Sequence, residues 1–284
     1  MSLVKVNEIL QHAWKHKYGV AAINTLNYET IKCAVAAAEA ERVPVILQFF
    51  PGLDKYIPLK YIADMAVDMA RKASVPVAVH LDHSASYEIA LGGIRDGFPS
   101  VMVDGSALPF EENVALTKEV ARAAGVFGVD VEAELGHVGI GMKLEDISNS
   151  DLFTDADQAA EFVERTGCGS LAIAVGNAHG DYIQEPNLDF DRIAKIRQAV
   201  SVPLVLHGCS GIPDWQMQRA VNLGMSKFNI ATEYFAAMYR SLDEVIQATE
   251  HKADGIRLML GAAKGMTEFV VNKIRLLNPN KYTM

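Results

Sequence analysis

Residues 44–82 read PVILQFFPGLDKYIPLKYIADMAVDMARKASVPVAVHLD. A β-branched run at Pro44–Phe50 is followed by an amphipathic stretch over Leu59–Ala73 and a second β-branched run at Val75–Asp82. The apolar positions of the middle segment fall near helical spacing, whereas the flanking runs are short and bounded by Pro or Gly, as strands are. Working outward, further strands are predicted at Val20–Thr25, Ser100–Asp104, Val129–Leu135, Leu171–Val175, Pro203–His207 and Lys227–Thr232. Between them lie helical stretches such as TIKCAVAAAEAER (30–42), EENVALTKEVARAA (111–124) and PDWQMQRAVNLG (213–224). Eight strands alternating with helices in 284 residues predict an α/β fold, a closed (β/α)8 TIM barrel with extra C-terminal helices. The expected organisation is one domain over residues 1–284, since no Pro/Ser-rich linker or charge block divides the chain. A doubly wound open sheet is the alternative, disfavoured because no GxGxxG follows the first strand.

Composition narrows the function. With 50% hydrophobic and 21% charged residues the chain has a globular, not a disordered, make-up. The balance of 26 Lys+Arg against 35 Asp+Glu leaves a net charge of −9, and no basic stripe is available to neutralise a nucleic-acid backbone. Cys33, Cys168 and Cys209 are scattered and odd in number, which argues against a disulfide framework. No apolar run reaches membrane-spanning length, and MSLVKVNEILQHAWKHK lacks the apolar core of a signal peptide. A soluble, cytoplasmic protein with neither a nucleic-acid nor a membrane partner is expected.

A barrel places its active site at the carboxyl ends of its strands. Asn24, Asp82, His83, Asp104, Glu132, Glu134, His179, His207 and Asn229 all gather there, while the opposite junctions are mostly Val, Pro and Gly. His83, His179 and His207 come from three different strand ends. Three neutral imidazoles with an open fourth position describe a catalytic zinc site. The alternative, that each merely hydrogen-bonds a neighbouring loop, is weaker for three at one rim than for one alone. His12, His16 and His251 are read as solvated helix residues and His80 as an interior residue; His137, in a loop near the mouth, fits either role. The clusters Gly176–Gly180 and His207–Gly211 would let backbone N–H groups approach a phosphate, with a helix start at PDWQ adding its dipole. Tight turns also need glycine, but loops after the last strands of such barrels commonly hold phosphate.

The segments HLDH (80–83), VMVDGS (101–106), VEAELG (131–136), HGCSG (207–211) and NIATE (229–233) closely resemble class II ketose-bisphosphate aldolases, in order and spacing over nearly the whole chain. The NIATE form is similar to the tagatose-bisphosphate branch more than to the fructose-bisphosphate one. The resemblance implies a zinc-dependent barrel, a homodimer or homotetramer, that reversibly cleaves ketose 1,6-bisphosphates, or a related phosphorylated sugar, to dihydroxyacetone phosphate and an aldehyde. It implies zinc on His83, His179 and His207, Asp82 as the acid/base, and a second cation site at Asp104 and Glu134. Asn24, Gly180, Gly208, Cys209, Ser210, Asn229, Ile230, Ala231 and Thr232 would bind the substrate, chiefly its dihydroxyacetone phosphate half.

Three positions depart from that pattern. The loop after Gly136 reads HVGIGMKLED, with Met142 where relatives carry the Glu that moves a proton to the enediolate carbon. Glu145 or Asp146 would have to take over by a register shift in a loop, 136–150, long enough to be mobile. Phe50 stands where a Ser or Thr often touches the far phosphate. The Asp-Pro-Arg motif, whose Arg reaches that phosphate from a neighbouring subunit, is replaced by Asp254-Gly255-Ile256-Arg257. Arg257 would serve only if the turn shifts. Two other functions remain open on the residues alone: a metal-dependent hydrolase on the same barrel, and a catalytically weak aldolase-like binding protein.

Overall fold

The computed structural model describes residues 2–284. In chain order its main elements are α1 (Val6–His16), β1 (Val20–Asn24), α2 (Tyr28–Glu41), β2 (Val45–Phe49), α3 (Leu59–Lys72), β3 (Val77–Ser84), α4 (Tyr87–Asp96) and β4 (Ser100–Val103). There follow α5 (Phe110–Phe127), β5 (Asp130–Leu135), α6 (Leu144–Ser148), α7 (Ala156–Thr166), β6 (Ser170–Ile173), α8 (Phe190–Ala199) and β7 (Leu204–Leu206). The last are α9 (Asp214–Asn222), β8 (Met225–Ile230), α10 (Thr232–Ala248) and α11 (Gly255–Leu277). All eight strands pair in parallel in sequence order, and β8 closes on β1. The expected barrel and its extra C-terminal helices are therefore present.

Side chains alternate across each strand, and the alternation sorts the sequence into two cores. Outward-facing Val45, Leu47, Val77, Val79, Val101, Val103, Leu171 and Ile173 pack under the helical ring. Inward-facing Val20, Ala22, Ile46 and Ala78 close the amino-terminal end of the barrel against Val6, Ile9, Leu10 and Ala13 of α1. Fully burying Ile9 and Leu10 stabilises this plug by about 1.5–3 kcal/mol each. The upper interior is polar, and that is where the site lies.

Strand ends differ from the sequence reading by at most two residues, and two differences have a cause. β3 continues to Ser84 because its pairing with β4 shifts register between Leu81 and Ser84. β8 stops at Ile230 because Thr232 already begins α10. His251 lies in a turn beyond α10, not in a helix. His12 is half-buried, its Nδ1 3.0 Å from the Tyr18 hydroxyl.

The C-terminal helix α11 is tied to α2 through Glu41, which is 3% exposed. Arg275 donates to its Oε1 from Nε at 3.0 Å and Nη2 at 2.8 Å, and Lys281 Nζ lies 2.9 Å from Oε2. The Arg275 hydrogen bond, more than Lys281, holds the Glu41 carboxyl below its ordinary range. Its contribution is therefore present above the unfolded-state pKa and lost as pH falls through the lowered folded value. Because Arg275 and Lys281 are mostly exposed, solvent screening limits the pair to about 1 kcal/mol. Glu41→Gln should lower stability by about that amount at pH 7, and urea titrations should show the gap closing in acid.

Candidate active site

The cavity at the carboxyl ends of the strands has a volume of about 530 Å³. Asp82 and His83 both face it, although neighbours in a strand normally point to opposite sides. The cause is local. His83 has φ +45°, a left-handed conformation seldom adopted by a residue with a side chain, and it falls within the β3–β4 register shift. The kink re-aims the imidazole inward beside the carboxylate.

His179 follows β6 and His207 follows β7, so the three imidazoles converge: ring centroids of His83 lie 4.8 Å from His179 and 4.6 Å from His207. One ligand atom from each lies within 4.8 Å of the others. The remaining ring nitrogens are engaged elsewhere. His83 Nδ1 is 2.9 Å from Asp104 Oδ2, and His207 Nε2 is 2.9 Å from Glu132 Oε1. His83 Nε2 and His207 Nδ1 face each other at 2.9 Å, while the buried Nε2 of His179 has no hydrogen-bond partner. Such a donor set, with the outer nitrogens anchored, fits a metal ion.

Electrostatics agree. Burial, then the His83 charge, lowers His179 to about 4; the same two causes push His207 well below its ordinary value, so both are held neutral, the form in which an imidazole can coordinate a metal. Burial opposes protonation of His83 too, but Asp82, Asp104 and Glu134 prevail and raise it to about 10. The cluster favours a positive charge at this point. Burial tends to raise the Asp82 carboxyl, but His83, His207, Lys227 and Asn24 outweigh it and hold Asp82 below its ordinary value. Burial and then Asp104 raise Glu134 to about 8, and its Oε2 has no hydrogen-bond partner.

Asp82 is 3% exposed and held by amides. Asn24 donates to Oδ2 at 3.0 Å and Asn229 to Oδ1 at 3.2 Å; Gln48 Nε2 lies 3.3 Å from Oδ2. Gly180, Gly208, Ser210, Ala231 and Thr232 line the adjoining wall. Gly208 has φ +62°, and a Cβ there would collide with the Ala178 carbonyl, so these loops pack too closely for any side chain. Tyr182 links them as well: its hydroxyl accepts from Ala178 N and donates to Gly208 O, both at 2.8 Å. The helix that begins at this wall is α10, not the one starting at PDWQ. Its first-turn N–H groups suit an anion. Cys209 and Ile230 are fully buried and do not line the cavity, and the Cys209 N–H is donated to Asn229 O at 3.1 Å.

The class II aldolase family model, described as fructose-bisphosphate aldolase class-II, matches residues 4–281. The chain belongs to this family. Class II aldolases are metal-dependent carbon–carbon lyases, which agrees with the cluster above. This aldolase is 44% identical over 263 residues to YdjI of Escherichia coli K12, covering 92% of each chain. It is 40% identical over 278 residues to fructose-bisphosphate aldolase of Geobacillus stearothermophilus, covering 97% of this chain and 96% of that one. The crystal structure of the YdjI aldolase superimposes with a TM-score of 0.87 over 97% of each chain. A structure described as a putative fructose-1,6-bisphosphate aldolase from Coccidioides immitis superimposes with a TM-score of 0.85 at 29% identity, over 96% of each chain.

Not every residue singled out in the sequence reaches the aldolase cavity. Glu145 is exposed on α6 and does not line it. Asp146 turns into its own loop, accepting from Ile140 N at 2.8 Å. That loop is stitched to His179 by Gly141 N donating to His179 O and His179 N to Gly139 O, both at 2.8 Å. Arg257 is exposed at the start of α11, in a separate groove with Ile256 and Leu260. The sequence reading in turn placed Glu132 at the strand ends without giving it a role, and passed over Lys227, Gln48 and Tyr182 as site residues. For Glu132 and Lys227 a signal was present: a charged residue inside an apolar barrel strand needs an interior partner. No helix among the described residues is long and apolar enough to cross a membrane.

Proposed function

We propose that this class II aldolase binds zinc at His83, His179 and His207, uses Asp82 as acid/base, and releases dihydroxyacetone phosphate from a ketose phosphate of the fructose or tagatose type. The observation that supports it most is the convergence of three imidazoles beside an amide-held carboxylate, next to glycine loops and a helix N-terminus. Zinc there would supply a Lewis acid for the ketose carbonyl and its neighbouring hydroxyl. The Asp82 carboxylate takes the proton of the C4 hydroxyl as the C3–C4 bond breaks, leaving the aldehyde carbonyl and passing the bonding pair to C3, where a proton drawn from water completes dihydroxyacetone phosphate; synthesis runs the same transfers in reverse, with Asp82 returning its proton to the C4 oxygen. Gly180, Gly208, Ser210 and the first turn of α10 hold the C1 phosphate. Asp104 orients His83 through Nδ1; together with Glu134 it also offers a second cation position. The subunits assemble as a homodimer or homotetramer.

The aldehyde half of the cavity has a different character. Phe50 lines it with Leu53 and Phe235, its ring edge-on to His83 at 6.4 Å. The ring folds over Gly52, where a Cβ would strike it. No Lys or Arg lines the cavity among the described residues. A dianionic second phosphate placed against these apolar groups would lose solvation without gaining a cation. The preferred aldehyde is therefore unphosphorylated or differently charged, as opposed to glyceraldehyde 3-phosphate. Metal analysis together with cleavage of matched ketose 1-phosphate and 1,6-bisphosphate pairs, with coupled detection of dihydroxyacetone phosphate, tests both statements. The 1-phosphates should have the higher kcat/KM. A bisphosphate advantage of several decades that disappears in Arg257→Ala would overturn the aldehyde assignment, and failure to release dihydroxyacetone phosphate from any ketose would overturn the aldolase reading itself.

A further inference from the structure

Beneath the three histidines, in the closed interior of the barrel, lies a buried ion pair that the chemistry above does not use. Lys227 of β8 and Glu132 of β5 are both 0% exposed in their side chains, with Nζ 2.7 Å from Oε2. The other oxygen, Oε1, lies 2.9 Å from His207 Nε2. A second histidine, His80, stands 3.7 Å from Oε2 and is anchored on its far side to Ser100 at 2.8 Å. Burying an ammonium and a carboxylate costs several kcal/mol per ion, and a well-packed apolar pair of similar volume is often as stable or more so. Stability alone is thus a poor account of their presence.

The geometry gives a better one. A carboxylate bonded to an ammonium can only accept, so at Oε1 the hydrogen must come from His207 Nε2. The Nδ1 lone pair is then left to face His83 and His179. Asn229 Nδ2 lies 3.2 Å from the same Nε2, and by donating there it would favour the opposite tautomer. The charged acceptor is nearer, and Asn229 already donates to Asp82 Oδ1.

We propose that Glu132 and Lys227 are positioning residues for the metal site: Glu132 fixes His207 as the Nε2–H tautomer, aiming Nδ1 at the ion, and Lys227 holds the carboxylate from its other oxygen. The proposal rests on the metal reading above. Lys227 also keeps Glu132 occupied, so that it does not swing up to compete as a ligand. Outer partners of this kind are typically worth about 10–100-fold in metal affinity.

The test has two parts. In metal-free wild-type protein labelled with ¹⁵N-histidine, two-bond proton–nitrogen correlations should show His207 as the Nε2–H tautomer; the Nδ1–H form would overturn the proposal without requiring any variant. In the second part, cobalt(II) is titrated against a competing chelator into wild type, Glu132→Gln, Glu132→Asp and Lys227→Met. Each folded variant should bind cobalt about 10–100-fold more weakly, with an altered visible ligand-field spectrum. Unchanged affinity and spectrum in folded variants, with only a lower Tm, would make the pair merely structural and overturn the inference. If wild type took up no cobalt, the metal reading would fall first, and the tautomer result would still report on Glu132.

Discussion

Replacing Asp82 by Asn is expected to lower kcat by about 10²–10⁴-fold, the range for a positioned acid/base, while the protein keeps its metal. Asn matches Asp in shape but cannot take up the C4 hydroxyl proton. The three side-chain amides around Asp82, from Asn24, Gln48 and Asn229, present N–H groups to its two oxygens. An Asn side chain would turn an N–H against at least one of them, so a modest fall in stability should accompany the loss of turnover. None of the three histidines depends on Asp82 for its outer hydrogen bond, which goes to Asp104 for His83 and to Glu132 for His207. Metal content should therefore stay stoichiometric. Measuring kcat alongside bound zinc separates this from the competing role, in which Asp82 only orients a ligand: zinc would then be lost, with little direct effect on the chemical step of the reloaded enzyme.

The largest effect is expected from His207→Ala. Loss of one of three imidazoles should release the metal, and the Lewis acid it supplies is worth several kcal/mol of barrier, about 10³-fold or more in rate. His207 is fully buried, so the substitution also leaves a small void and frees a Glu132 oxygen. Even so, the barrel rests on its two apolar cores, and circular dichroism should show it folded, with a reduced Tm. Full zinc occupancy with unchanged turnover in this variant would rule out the proposed ligand set. Chelator treatment of wild type should reproduce the activity loss reversibly, with zinc restoring it.

Much of this was legible in the chain alone. The alternation of β-branched runs with amphipathic stretches is a local property, set by side-chain period and by Gly and Pro at the junctions, and it predicted eight strands in sequence order. Since such barrels place chemistry at the carboxyl ends of their strands, His83, His179 and His207 could be read as neighbours although the first and last are 124 residues apart in the chain. The tertiary structure decided what depends on closure and register. Whether Asp82 and His83 face the same cavity turned on a left-handed φ at a bulge, which no periodicity reveals. The Glu132–Lys227 pair needed β5 and β8 to meet across the interior, and the aim of His207 follows from that meeting. Glu145, Asp146 and Arg257 bear the right chemical groups, yet exposed α6, the loop's own hydrogen bonds and a separate groove carry them away from the cavity. A sequence determines which side chains a strand or helix can present; where each one points when the sheet closes is decided by backbone kinks and by partners contributed from distant strands.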